Sequence, residues 1–174
     1  MKDSIAFEES EEFRQTLAQS ARLLAENRPE EAVRLLLPLH AKAPKHPDVA
    51  INLGGAYILQ RKWNRAVRVL EPASEANQQN VMLWMNLGAA QLGRLELSGP
   101  KQQAEAIRSF QRALEVDPST PNAHYQIALI YKDQGNLPLA LEYFEQALAV
   151  QPYDRDASYW LEKIRLRMAS NGPS

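Results

Sequence analysis

The sequence predicts an all-α fold, a solenoid of tandem helix–turn–helix units that a C-terminal helix closes. Three observations lead to this prediction: alanine-containing segments recur at regular intervals, most of them follow a second segment of helical periodicity, and prolines close most units. The 174 residues are 45% hydrophobic and 24% charged. This is an ordinary globular composition, and the chain is long enough for one domain with its own core.

The recurring segments align on four alanines that follow one another at intervals of 34, 40 and 34 residues. These alanines are Ala32, Ala66, Ala106 and Ala140. Ahead of the last three lie the segments NLGGAYI, NLGAAQL and QIALIYK, which are in register with one another. Pro44, Pro118 and Pro152 close three of the four units. Each unit is therefore expected to contain two helices joined by a short turn.

This pattern resembles the tetratricopeptide repeat, a helix–turn–helix unit of about 34 residues. The matching first-helix residues are Leu53, Gly54 and Tyr57; Trp84, Leu87 and Gly88; and Ile127, Ala128 and Tyr131. The second helices match through the four alanines and then through Leu36, Leu70, Phe110, Phe144, Ala73, Ala113 and Ala147. The resemblance covers residues 13–154, and it implies a right-handed α-solenoid whose first helices line a concave surface.

Four repeats are expected, at residues 13–46, 47–80, 81–120 and 121–154. The first repeat carries Gln19 and Ser20 where the pattern has Leu-Gly, and we interpret it as an end cap. In the other repeats a small residue occupies the corresponding position of the first helix, namely Gly54, Gly88 or Ala128. We expect the two helices of a repeat to approach closely at these residues.

The third repeat is six residues longer than its neighbours, and the extra residues lie in its turn, GRLELSGPKQQ. Ser98 and Pro100 have the composition of a turn followed by a helix start. We therefore expect residues 92–97 to prolong the first helix or form a loop, and the second helix to begin near Pro100. Insertions in repeat proteins often line a binding face, which makes Leu95 and Leu97 candidate contacts. The alternative is a longer loop without a function.

Beyond the repeats, residues 155–168 predict a single helix that caps the last repeat. Tyr159 and Trp160 begin an apolar face of this helix, and charged residues occupy its other face. Residues 1–12 form an acidic N-terminal segment, and residues 169–174 are expected to be a flexible tail.

Composition and charge exclude several classes of protein. The 20 Lys and Arg residues are balanced by 21 Asp and Glu residues, so the net charge of −1 does not favour a nucleic acid as partner. Because there is no cysteine, disulfides and thiolate metal sites are excluded. The N-terminus carries acidic residues where a signal peptide has an apolar run, and no window approaches the roughly 20 apolar residues of a membrane span. We expect a cytoplasmic protein without a membrane span.

The sequence contains no constellation of residues that predicts catalysis or a metal site. His40, His46 and His124 fall at different positions of the repeat, and none has the spacing of a metal-binding helix. The pair Gly54 and Gly55 lies within a predicted helix and is not a phosphate-binding loop. We therefore predict a non-catalytic protein that binds neither a metal nor a cofactor.

The resemblance implies a binding groove along the first helices. By repeat, its inward residues are expected to be Ile51, Asn52, Gly55 and Ile58; Met82, Met85, Asn86, Ala89 and Leu92; and Asn122, Tyr125, Gln126 and Leu129. Asn52, Asn86 and Gln126 occupy one column, and an amide can pair with a peptide backbone in either direction. Several members of the family hold an extended peptide with such an asparagine ladder. The alternative is that these amides bond only to a neighbouring helix.

Two hypotheses for the function follow from these features. The first is a monomeric scaffold or adaptor that binds a peptide or a helix of another protein in the concave groove. Most of the expected groove residues are apolar, and its methionines adapt to irregular partners. The second is a self-assembling structural protein, in which an end repeat or the C-terminal helix pairs with another copy to form a homodimer.

A basic cluster around the second turn is a further candidate contact. Arg61, Lys62, Arg65 and Arg68 surround Trp63 in the sequence. They are candidates for an acidic partner, and the alternative is an ordinary solvated turn.

Overall fold

The structure is a computed structural model that describes residues 10–170. Most of the predicted acidic segment (1–12) and the end of the predicted tail (169–174) lie outside these residues. Every regular element within the described range is helical. The α-helices are α1 (Glu11–Ala25), α2 (Pro29–Lys42), α3 (Pro47–Leu59), α4 (Trp63–Ala76), α5 (Val81–Leu92), α6 (Pro100–Val116), α7 (Ala123–Asp133), α8 (Leu137–Val150) and α9 (Arg155–Ser170). A 3-10 helix spans Leu95–Leu97.

The helices pack as a row of hairpins, which confirms the predicted all-α solenoid. The two helices of each repeat contact each other, and each second helix also contacts the first helix of the next repeat. In the same way α9 packs against α8. The core therefore runs along the row as three adjoining clusters of buried side chains.

Two glycines confirm that the helices of a repeat approach closely. A Cβ atom at Gly54 would lie 2.5 Å from Leu70 Cγ, and one at Gly88 would lie 2.7 Å from Phe110 Cε1. Leu70 and Phe110 are both buried, so neither side chain can turn aside into solvent. Any larger residue at these glycines would have to push the two helices apart.

Three of the four turns inside the repeats share one conformation. Asn27, Arg61 and Gly135 each adopt a left-handed backbone, with φ of 57°, 56° and 75°. The amide of the following residue donates, at 2.8–2.9 Å, to a carbonyl five residues earlier. This is the bonding of a Schellman motif, which satisfies carbonyl groups at the end of the first helix. The third repeat differs, since Gly93 ends α5 with φ 60° and ψ −119°, a conformation that only glycine adopts readily.

The six inserted residues form a 3-10 helix and do not prolong α5. The helix α5 ends at Leu92, and α6 begins at Pro100 as predicted. Leu95 is half buried against the core cluster between α5, α6 and α7. Leu97 is 72% exposed.

The insertion joins the third repeat to the fourth. The first helices α1, α3 and α5 pack on one another, whereas α5 and α7 make at most marginal contact, and the 3-10 helix contacts α7 instead. The buried side chain of Gln103 strengthens this connection. Its Nε2 donates to Ser98 O at 3.3 Å and to Asp133 Oδ2 at 2.8 Å, and its Oε1 accepts from Gln134 Nε2 at 3.0 Å. The inserted segment is therefore part of the packing between these repeats.

Candidate functional site

The first helices form the inner layer of the solenoid. Successive first helices from α1 to α5 contact one another, while the second helices α2, α4 and α6 make at most marginal contact with each other. The closer spacing of the first helices makes their side the concave one. The candidate groove residues belong to these helices and so lie on the inner layer.

The candidate residues of α3 and α5 form a shallow apolar strip. Ile51, Ile58 and Met85 are half buried against the first core cluster. Met82 is 56% exposed. A Cβ atom at Gly55 would meet nothing within 4 Å, so this surface is open above the glycine. The strip offers apolar contact to a ligand without enclosing it.

The three amides of the predicted column have different partners. Asn52 Nδ2 donates to Ser20 Oγ at 3.4 Å, which links α3 to α1. Asn86 Nδ2 donates to Met82 O of its own helix at 2.8 Å, and its Oδ1 accepts no hydrogen bond within the described residues. The side chain of Gln126 makes none within that range. Asn86 Oδ1 and the whole Gln126 amide therefore remain available to a ligand.

The remaining candidate residues lie in different environments. Leu92 is only 8% exposed and belongs to the core between α5, α6 and α7, so its side chain is not available at the surface. Ala89 and Leu129 are half buried. Asn122 is exposed just before α7 and has a left-handed backbone, with φ 65°.

An aromatic and cationic cluster at the C-terminal end of the inner layer was not predicted from the sequence. Trp160 follows Gln126 by 34 residues and so continues the amide column on α9. Lys132 Nζ lies 4.0 Å from the centroid of the Trp160 ring, and Lys163 Nζ lies 5.3 Å from it. Neither lysine has an acidic partner within 4 Å in the described part of the chain. Extending the 34-residue register into the last helix is the signal that would have found this cluster.

Tyr125 lies beside this cluster and keeps its phenolic proton. Its ring packs edge-on against Phe144, with centroids 5.7 Å apart. Burial raises the pKa of Tyr125, and the negative charges of Asp156 and Asp154 raise it further. At neutral pH the Tyr125 hydroxyl is therefore a hydrogen-bond donor.

The described residues assemble no metal-binding group. Within residues 10–170, no three His, Cys, Asp or Glu side chains are placed to hold a metal ion. His40 lies in α2, His46 directly precedes α3 and packs edge-on against Phe13, and His124 Nε2 lies 3.1 Å from Pro118 O. In the same residues no helix has both the length and the apolar character needed to cross a membrane.

Three models of known protein families match the chain. Two of them describe the tetratricopeptide repeat and match residues 23–89 and 121–154. The third describes a TPR repeat and matches residues 101–135. Together they extend over most of the region in which the sequence predicts repeats.

Curated relatives of the chain include receptors for a targeting signal. The peroxisomal targeting signal receptor of Candida glabrata is 25% identical over 125 residues, which are 72% of this chain and 20% of that protein. The receptor of the same name from Saccharomyces cerevisiae is 25% identical over 104 residues, 60% of this chain and 16% of that protein. The chain thus spans about a fifth or less of the length of these relatives.

Solved structures of similar shape include MamA proteins. The MamA structure MSR-1 C2 is 30% identical, with 79% of this chain and 75% of that chain covered and a TM-score of 0.66. MamA 41-end from Desulfovibrio magneticus RS-1 is 22% identical, with 92% and 87% covered and a TM-score of 0.76. TTC0263, a thermophilic TPR protein in Thermus thermophilus, is 20% identical, with 89% and 82% covered and a TM-score of 0.72. The last two likenesses concern the fold alone.

Proposed function

The chain belongs to the tetratricopeptide repeat family, and from this premise we propose that it is a non-catalytic scaffold or adaptor that binds a segment of another protein along its inner layer. The ligand is a peptide or a helix, and it lies across the first helices of the second, third and fourth repeats. Fold alone does not choose among the functions of repeat proteins, so the proposal depends on the groove itself.

One observation carries the proposal: the inner layer has unused hydrogen-bonding capacity beside an apolar strip. Asn86 Oδ1 and the amide of Gln126 have no partner in the described residues, and Met82 is 56% exposed next to them. Because an amide both donates and accepts, this column pairs with a peptide backbone without regard to its sequence. The exposed methionine and its neighbours then contact the ligand's apolar side chains.

The similarity to peroxisomal targeting signal receptors supports a ligand of this kind. A targeting signal is a short segment of another protein, and a long shallow groove accepts such a segment. Two apolar side chains docked on the strip contribute on the order of 3 kcal/mol before ordering costs. We therefore expect an affinity in the micromolar range, about −8 kcal/mol in total.

The proposal is tested by affinity capture with the purified protein as bait. The double variant Asn86→Ala, Gln126→Ala is compared with wild type and with a matched double variant, Gln79→Ala, Gln146→Ala, whose amides lie outside the first helices. Each lost hydrogen bond costs about 0.5–1.5 kcal/mol, so the groove variant should bind its partner roughly 5- to 150-fold more weakly. The matched variant should bind like wild type. Equal retention by all three proteins would rule out the amide column as the binding site.

A self-assembling structural role is the second candidate, and one feature of α9 favours it. Leu148, Leu161 and Leu166 line an apolar cavity of about 530 Å³ between α8 and α9, and Leu166 is 65% exposed. In this role a second copy covers these leucines. Sedimentation of wild type and of Leu166→Ser separates the two functions, since a dimer mass that is lost in the variant supports self-assembly. A monomer mass for both proteins excludes it.

A further inference from the structure

The inserted segment builds a cleft on the outer face of the solenoid, and we propose that this cleft binds an acidic peptide segment that carries one large apolar side chain. The site is separate from the inner-layer groove, because it lies between the second helix α4 and the turn of the third repeat. The two binding sites therefore succeed or fail independently.

The cleft has the size and the apolar walls of a binding site. Its volume is about 420 Å³, within the roughly 300–1,000 Å³ typical of ligand pockets. Trp63 and Val67 of α4 form one wall, and Leu97 of the 3-10 helix forms the other. Gly93 closes the end, where a Cβ atom would lie 3.4 Å from the Trp63 ring. A large apolar side chain of a ligand fits between Trp63 and Leu97.

The insertion supplies much of this cleft. Leu97 and the neighbouring Ser98 belong to the extra residues of the third turn, and Leu97 stands 72% exposed at the edge of the cavity. An exposed leucine that lines a cavity gains contact when a ligand covers it. The feature of the sequence that breaks the repeat period is thus the feature that creates the site.

The cleft continues into a second cavity, which favours a chain-like ligand. The second cavity is about 660 Å³ in volume and lies between α4 and α6, and it shares Val67, Gln91 and Glu105 with the first. Ser109 Oγ donates to Gln91 Oε1 at 2.6 Å, so these two lining groups are already paired. An extended peptide can place one side chain in the cleft and lay its next residues along the space between the helices.

Unpaired positive charge around the cleft favours an acidic ligand. Arg68 and Arg94 line the cavity, and Arg61 and Lys62 occupy the turn directly before Trp63. Of these cations only Arg94 has an acidic partner within 4.0 Å in the described chain, and that partner, Glu96, is at the limit. The helix α4 also begins here without a side-chain cap, so its N-terminus adds partial positive charge.

This charge is local and not a property of the whole surface. Four cations, Arg61, Lys62, Arg68 and Arg94, face the two acids Glu96 and Glu105, whereas the chain as a whole carries a net charge of −1. A nucleic acid fits this site less well than a peptide. Its bases need an open aromatic face for stacking, and the Trp63 ring lies against Gly93.

The proposal is tested by fluorescence anisotropy with a labelled synthetic peptide, Gly-Asp-Glu-Phe-Asp-Glu-Gly. The expected result is saturable binding to wild type that weakens as salt is added. The double variant Arg68→Ala, Leu97→Ser should bind this peptide roughly ten-fold more weakly or not at all. Both side chains are exposed or at the rim, and circular dichroism and thermal melting should show an intact fold.

A matched variant and three further probes complete the test. Arg34 and Leu37 are an arginine in the repeat register of Arg68 and an exposed leucine in the first repeat, so Arg34→Ala, Leu37→Ser should bind the peptide like wild type. The peptide with lysines in place of its acids, and the one with alanine in place of phenylalanine, should bind much more weakly. Equal binding of the acidic peptide to wild type and to the cleft variant overturns the proposal, and so does tighter binding of a single-stranded oligonucleotide. A dimer mass that only the cleft variant loses, with no peptide binding to wild type, assigns the cleft to a second copy and overturns it too.

Discussion

Two adjacent glycines of α3 should respond in opposite ways to the same substitution. Gly54 faces the second helix of its repeat, and an added Cβ atom would lie 2.5–2.7 Å from three carbons of Leu70. Gly55 faces the open inner layer, and an added Cβ atom there meets nothing within 4 Å. Gly54→Ala should therefore destabilise the protein, and Gly55→Ala should stabilise it.

The magnitudes follow from two opposing terms. Alanine is favoured over glycine inside a helix by about 1 kcal/mol, and Gly55→Ala should gain most of this. At Gly54 the same gain is opposed by overpacking against a fully buried leucine, which costs about 3 kcal/mol, so the net loss should be about 2 kcal/mol. At about 2–4 °C per kcal/mol for a chain of this size, the melting temperature should fall by about 4–8 °C in Gly54→Ala and rise by about 2–4 °C in Gly55→Ala.

Thermal melting and urea unfolding of wild type and both variants measure these shifts. The Gly55→Ala variant is the matched control, because it makes the same change one residue away in the same helix. If Gly54→Ala melts at or above the temperature of wild type, the helices do not meet at Gly54 as the structure shows.

Three further changes test other parts of the structure. Gln103→Ala removes the partner of Asp133 and Gln134 and should lower the free energy of unfolding by about 1–3 kcal/mol in urea titrations, while an unchanged midpoint would show that the bonds of Gln103 are not needed. Gly93→Ala forces a side chain into a left-handed backbone at φ 60° and should cost at least about 1 kcal/mol, with faster amide hydrogen exchange in the 3-10 helix; unchanged exchange would contradict this. Burial lowers the pKa of His40 below its ordinary 6.5, so the unfolded state binds the proton more readily and stability should fall as pH decreases below about 6.5. His40→Gln should therefore lose less melting temperature than wild type between about pH 7.5 and pH 5.5, and equal losses would show that His40 is not responsible.

The order of the helices could be predicted from the sequence because each repeat carries the same small and large residues at the same positions. The interval of 34 residues placed Gly54 opposite Leu70 in advance, and the structure confirms that contact. The start of α6 at Pro100 also followed from local residues, since proline suits the first turn of a helix. Local composition and periodicity were sufficient for these features.

The conformation of the insertion could not be predicted, because it depends on contacts between distant residues. The 3-10 helix rests on α7 and is joined to it through Gln103 and Asp133, which lie 30 residues apart in the chain. No local pattern signals a bond over that distance. The partners of Asn52, Asn86 and Gln126 are likewise set by neighbouring helices, so one column of similar residues has three different environments.

The C-terminal end of the inner layer was missed for a different reason. Trp160 was interpreted as part of a capping face, although the 34-residue register places it in line with Gln126. The structure shows both roles at once, since Trp160 packs against the last core cluster and also lies under Lys132. The register was the better guide here, and it continued beyond the last complete repeat.

Photo-crosslinking from the inner layer tests the central claim most directly. The photoreactive residue p-benzoylphenylalanine is placed at Gly55, where the structure leaves space for it, and in a second protein at the exposed Leu37 of α2. Both proteins are irradiated in lysate and their adducts are mapped by mass spectrometry. A partner that binds the inner layer should crosslink at position 55 through one short segment of its chain and not at position 37. A partner that crosslinks only from position 37 would contradict binding in the groove.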